Sequence, residues 1–152
     1  MNHICWYLFC YNHGGMAMLK VIVGVKGTGK TKQLIDMVNA SLNSSQGAVV
    51  CIEKGDKLKF DVKYQCRLID TEYYGVEDAN ALYGFIAGIL ASNHDVTDLY
   101  IDSALKICGD DTDVFDQFLI MLDVLTSRAN VNCVMTCSIA AEKATDMMKK
   151  YA

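Results

Sequence analysis

The sequence predicts an α/β fold, a three-layer sandwich around a mainly parallel sheet of five strands. Two observations carry this. Short β-branched apolar runs alternate with segments of helical period along residues 19–151, and a glycine-rich loop joins the first such run to the first helix. A length of 152 residues fits one domain, and an apolar content of 52% lets it bury a core without metals or disulfides. The absence of proline excludes collagen-like and proline-rich disordered classes.

The elements follow in order. Leu19 to Val25 is an apolar, β-branched run ended by glycines, as expected of a buried parallel strand. Lys30 to about Ser44 places Leu34, Ile35, Val38 and Leu42 at helical spacing, and Ser44, Ser45 and Gly47 stop it. Ala48 to Ile52 is a second buried strand. The polar stretch Lys54 to Lys63 reads as a loop or hairpin leading to a third strand near Cys66 to Asp70. Val76 to Ser92 is a helix apolar nearly all round, in which Gly84 and Gly88 point to close approach of its backbone to a sheet. Asp98 to Asp102 is a fourth strand. Asp111 to Arg128 is a helix with Phe115, Phe118, Leu122 and Leu125 as its core stripe, a cap at Asp111 or Thr112, and Asp113 and Asp116 complementing its dipole. Val131 to Ser138 is a fifth strand and Ala140 to Tyr151 a closing helix. The order implies right-handed crossovers.

Residues 1–17 lack a period, are rich in Cys, His, Asn and aromatics, and precede Met18, so they read as a non-native or disordered leader ahead of a single domain spanning 18–152. The alternative is an edge strand from Cys5 to Tyr11. Seven cysteines without a C-x-x-C pair read as buried reduced thiols. With no apolar stretch able to span a bilayer, a cytoplasmic protein without a membrane partner is expected. A net charge of −4 argues against a broad basic face, so nucleic acid is not an expected partner, although a local basic patch passes this test.

The chemistry concentrates in Gly24-Val25-Lys26-Gly27-Thr28-Gly29-Lys30-Thr31, which matches G-x-x-x-x-G-K-[ST] at every fixed position. Chance alone gives this in roughly 0.5% of chains of this length. The match also lies between a strand and a helix, where backbone N–H groups converge on an anion. Lys30 is expected to reach β and γ phosphates and the Thr31 hydroxyl to hold Mg²⁺. Asp102, closing Leu99-Tyr100-Ile101-Asp102, is the expected second magnesium ligand. No N-K-x-D guanine signature is present, which favours ATP.

These residues resemble a family. The phosphate loop, its helix, Ala48–Glu53 and Leu99–Ser103 look like the ATP-binding core of the RecA recombinase, over Leu19 to about Ile139. The resemblance implies P-loop NTPase architecture, ATP and Mg²⁺ as cofactors, and Glu53 beside Lys30 as catalytic, Glu53 being the general base for the attacking water. Thr136 or Ser138 would match the sensor position. The chain lacks room for the recombinase's DNA-binding loops, and residues 18–152 look more like short bacterial P-loop proteins labelled only as ATP-binding.

The leading function is thus a Mg-dependent ATP-binding protein, a slow ATPase or nucleotide switch acting on an unidentified protein partner or a second copy of the chain. A non-hydrolysing interaction module is the alternative. A small-molecule kinase needs a lid with several arginines, and this chain has only Arg67 and Arg128, each an arginine finger or half of a surface ion pair. Ile120 and Val124, among the polar positions of their helix, hint at a partner surface or at cover by the terminal helix.

Overall fold

Five parallel strands stand in the order β1-β5-β4-β2-β3, with helices on both faces. The computed structural model describes residues 18–152, so the leader and the alternative strand from Cys5 to Tyr11 lie outside the described residues. The strands are β1 (Leu19–Gly24), β2 (Ala48–Glu53), β3 (Arg67–Asp70), β4 (Val96–Ile101) and β5 (Asn132–Ser138). The helices are α1 (Lys30–Ser44), α2 (Ala79–Ser92), α3 (Ala104–Ile107), α4 (Thr112–Ala129) and α5 (Asp146–Lys150).

Alternation along the strands splits the core in two. Val21, Ile52, Leu99, Ile101, Cys133 and Met135 face α2, α4 and the shorter helices, and join Leu82, Ile86, Phe115, Leu119 and Leu122. Val49, Cys51, Tyr100 and Val134 face α1 and the segment after β2, and join Leu34, Val38, Leu58, Val62 and Cys66. The sheet is therefore sandwiched, as predicted. Among the described residues, no helix is long and apolar enough to cross a membrane.

Several boundaries move for identifiable reasons. The helix expected from Val76 begins at Ala79, because Asp78 Oδ1 accepts the Ala81 N–H and sets the N-cap. Gly84 and Gly88 do not approach the sheet: both are exposed, and a Cβ on either would meet nothing within 4 Å. They stand two residues, about 200°, round the helix from the buried Leu82 and Ile86. Asp111 caps α4 by accepting from Asp113 and Val114 N–H, one of the two caps expected. Asp116 accepts instead from the Thr145 hydroxyl at 2.6 Å.

The expected closing helix is broken. A short 3-10 turn, Ala141–Lys143, ends where Ala144 is buried in extended conformation, and Thr145 restarts the chain as the cap of α5 by accepting the Met148 N–H. α5 does not cover Ile120 and Val124, which stay 41% and 48% exposed. The five cysteines among the described residues, Cys51, Cys66, Cys108, Cys133 and Cys137, are free and buried. Burial pushes the Cys66 thiol up to about 11 and those of Cys108 and Cys137 up to about 12.

Candidate functional site

The loop between β1 and α1 is shaped by its glycines. Gly27 and Gly29 have φ of +86° and +84°, a region costly to side chains with a Cβ. At Gly24 a Cβ would meet Thr28 Oγ1 at 2.8 Å, so the Thr28 side chain would have to shift. The loop folds on itself: the Thr28 hydroxyl and Lys30 Nζ both donate to the Val25 carbonyl, each at 2.8 Å. Lys30 is thereby buried, whereas Val25, Lys26, Thr28 and Thr31 are exposed.

Gly29 is the N-cap of α1 and offers no side chain to its first-turn amides, and no acidic residue stands in that turn. About four helical turns of aligned dipole end there without a side-chain cap. That arrangement can hold an anion.

Across the site, Asp102 follows β4 directly and is fixed on three sides. Its backbone N–H donates to the Ile52 carbonyl at 2.8 Å. Its Oδ1 accepts the Thr31 hydroxyl at 3.1 Å and the Thr136 hydroxyl at 2.7 Å. Thr136 in turn accepts the Ser103 N–H at 2.8 Å, which holds Ser103 in a left-handed conformation with φ +58°. β5 stands between β1 and β4, so Thr136 lies directly behind the carboxylate. Of the two sensor positions, Thr136 touches Asp102 while Ser138 is exposed at the end of β5 opposite Gly24. The hydroxyl of Tyr100 bonds Ser41 on α1 and donates to the Met37 carbonyl at 3.3 Å, which ties α1 to the strand carrying Asp102.

Thr31 and Asp102, chosen seventy-one positions apart in the chain, are thus brought into contact. A hydroxyl and a carboxylate oxygen are the hard donors that a magnesium ion takes, its remaining positions being filled by water and phosphate. Glu53 ends β2, next to β4. Its carboxylate is buried and accepts the N–H groups of Lys57 at 3.1 Å and Leu58 at 3.0 Å. Burial raises its pKa against the pull of those two amides, and the charges of Asp70 and Asp56 add to the rise. Glu53 is therefore the staple of the segment that follows it. Asp70 is likewise engaged, its Oδ1 accepting the N–H of Gly55 at 2.8 Å and of Glu72 at 2.9 Å.

Arg67 and Arg128 are both exposed. The ion pairs among the described residues are Lys32–Asp36 and Lys59–Asp56, so neither arginine forms one. No family model matches the chain and no curated protein matches it.

Proposed function

We propose that this chain is a Mg-dependent ATP-binding protein of RecA-like P-loop architecture, working as a slow ATPase or nucleotide switch on a partner. The observation that carries this reading is the contact between Thr31 and Asp102 at the mouth of the Gly24–Thr31 loop. There a helix start without a side-chain cap, and a lysine folded back onto its own loop, stand beside an oxygen pair suited to a divalent cation. Thr31 and Asp102 would hold Mg²⁺, which neutralises phosphate charge when bound. Lys30 would leave the Val25 carbonyl for the phosphates, while Thr136 keeps the Asp102 carboxylate turned toward Thr31. The missing guanine signature supports ATP.

Lys30→Ala tests this by titration with a fluorescent ATP analogue. Loss of the fixed cation lowers Mg-ATP affinity at least about tenfold. Unchanged affinity removes the reading.

A second reading, a module that binds ATP without turning it over, is favoured by the engagement of Glu53 with the Lys57 and Leu58 amides. A carboxylate has about four lone-pair sites, so these bonds leave room for a water. Tight binding with no phosphate release by the wild-type chain would select the module.

A further inference from the structure

The segment between β2 and β3 carries a surface that the nucleotide reading does not use. Leu58, Val62 and Cys66 are buried at every fourth position and pin the segment against the α1 face of the sheet. Asn39 of α1 clamps it from the side, donating to the Asp61 carbonyl at 3.0 Å and accepting the Lys63 N–H at 3.1 Å. Between these anchors stand two dyads of one kind, Lys59-Phe60 and Lys63-Tyr64. Phe60 is 89% and Tyr64 91% exposed, an unusual cost for large aromatic rings on a pinned segment. Lys59 Nζ stands 5.2 Å from the centroid of the Phe60 ring.

The charge here runs against that of the chain. Residues 54–67 hold five cations and two acids, net +3, so the remainder carries −7. Beside the dyads opens a cavity of about 530 Å3 along β3, lined by Lys59, Lys63, Tyr64 and Arg67 and by three carboxylates. Each carboxylate is already engaged: Glu53 with two amides, Asp70 with two others, and Asp56 with Lys59 at 2.7 Å. Lys63 and Arg67, in contrast, form no ion pair among the described residues.

We propose that this segment binds single-stranded nucleic acid, with Phe60 and Tyr64 stacking on bases and Lys63 and Arg67 meeting phosphates. Exposed rings interleaved with cations suit unstacked bases, since every base has a π-face and every linkage a charge. A duplex would hide those faces. The surface is separate from the Gly24–Thr31 loop, because β1 and β2 are three strand spacings apart, roughly 14 Å. The proposal therefore stands independently of the ATP reading.

Fluorescence anisotropy of the full chain with labelled oligo-dT and oligo-U of about 12 nucleotides, without ATP and across a salt series, tests it. We expect saturable binding that weakens with salt. Phe60→Ala and Tyr64→Ala each weaken it roughly 5- to 150-fold. The pair Lys63→Ala and Arg67→Ala lowers the log–log salt slope by about 1.4, at about 0.7 per phosphate contact. Lys149→Ala with Lys150→Ala, removing two cations of α5, changes neither. Phe60, Lys63 and Tyr64 on the segment and Arg67 at the start of β3 are all exposed, so the variants keep the fold, and matched melting curves establish this. The proposal is overturned by absence of saturable binding at low salt, or by binding indifferent to loss of both rings. Equal competition by a polyglutamate peptide of the same charge would also overturn it and assign the surface to an acidic protein.

Discussion

The two connections that leave the carboxyl ends of β1 and β2 are held in opposite ways. Gly24–Thr31 is shaped by backbone, through two left-handed glycines and a carbonyl that takes both Thr28 and Lys30. The segment 54–66 is shaped by side chains, through Leu58, Val62 and Cys66 below, Asn39 at the side and Glu53 at its start. The first connection leads into a helix start that no side chain caps, whereas the second spends the N–H groups of Gly55, Lys57, Leu58 and Lys63 on side-chain oxygens. Each therefore has a different weak point: the glycine loop fails when chemistry at its rim is removed, and the anchored segment fails when packing beneath it is removed.

The largest expected effect breaks the second connection alone. Leu58→Ala removes a buried anchor and costs about 2–5 kcal/mol of stability by chemical denaturation. Affinity for Mg-ATP in the folded protein stays near wild type, since the cluster that holds Leu58 reaches Leu34 and Val38 of α1 but includes none of residues 24–31. If affinity fell along with stability, the two connections would be one unit.

Glu53→Gln probes the junction between them. With Glu53 as general base, hydrolysis falls by about 10²-fold with binding preserved, measured as phosphate release. Unchanged hydrolysis would leave Glu53 as a staple only. A comparable loss in an Asp70 or Glu72 variant would move the base to the end of β3.

Thr136→Val sharpens the comparison from the other side. It keeps the shape but strands the Ser103 N–H and takes one donor from Asp102, so unfolding free energy falls by about 1–3 kcal/mol. A change within error would show that water replaces the hydroxyl.

The smallest effect is in pH. Because the folded chain holds the Glu53 pKa above its ordinary value of 4.5, its stabilising contribution is fully present below that pH and is lost as pH rises through the raised value. Melting temperatures of wild type and Glu53→Gln should diverge in the variant's favour as pH rises across that window. A constant difference would contradict the shift.

Much of the first connection is legible in the sequence, because a glycine at a left-handed position and a lysine after it leave a fixed spacing in the chain. The second is not read as easily. Its anchors at 58, 62 and 66 repeat every fourth residue, a signal that the intervening lysines obscure in a segment of polar composition. The place of Thr136 depends on strand order, and nothing local states that β5 enters between β1 and β4. Gly84 and Gly88 mislead because small size fits both a close contact and an open surface. The break at Ala144 escapes notice because alanine favours continuation of a helix, whereas the burial of Ala144, the cap at Thr145 and its bond to Asp116 of α4 belong to the folded chain.

The buried thiols give the molecule a set of internal clocks. Cys51 and Cys66 lie in the layer against α1, while Cys108, Cys133 and Cys137 lie in the opposite layer. Alkylation requires a thiolate that solvent can reach, and these thiols are both hidden and held protonated. The rate at which each is labelled in the native protein thus times the opening of its own layer. Read position by position, Cys66 would time release of the anchored segment, and Cys133 would time the parting of the central strands.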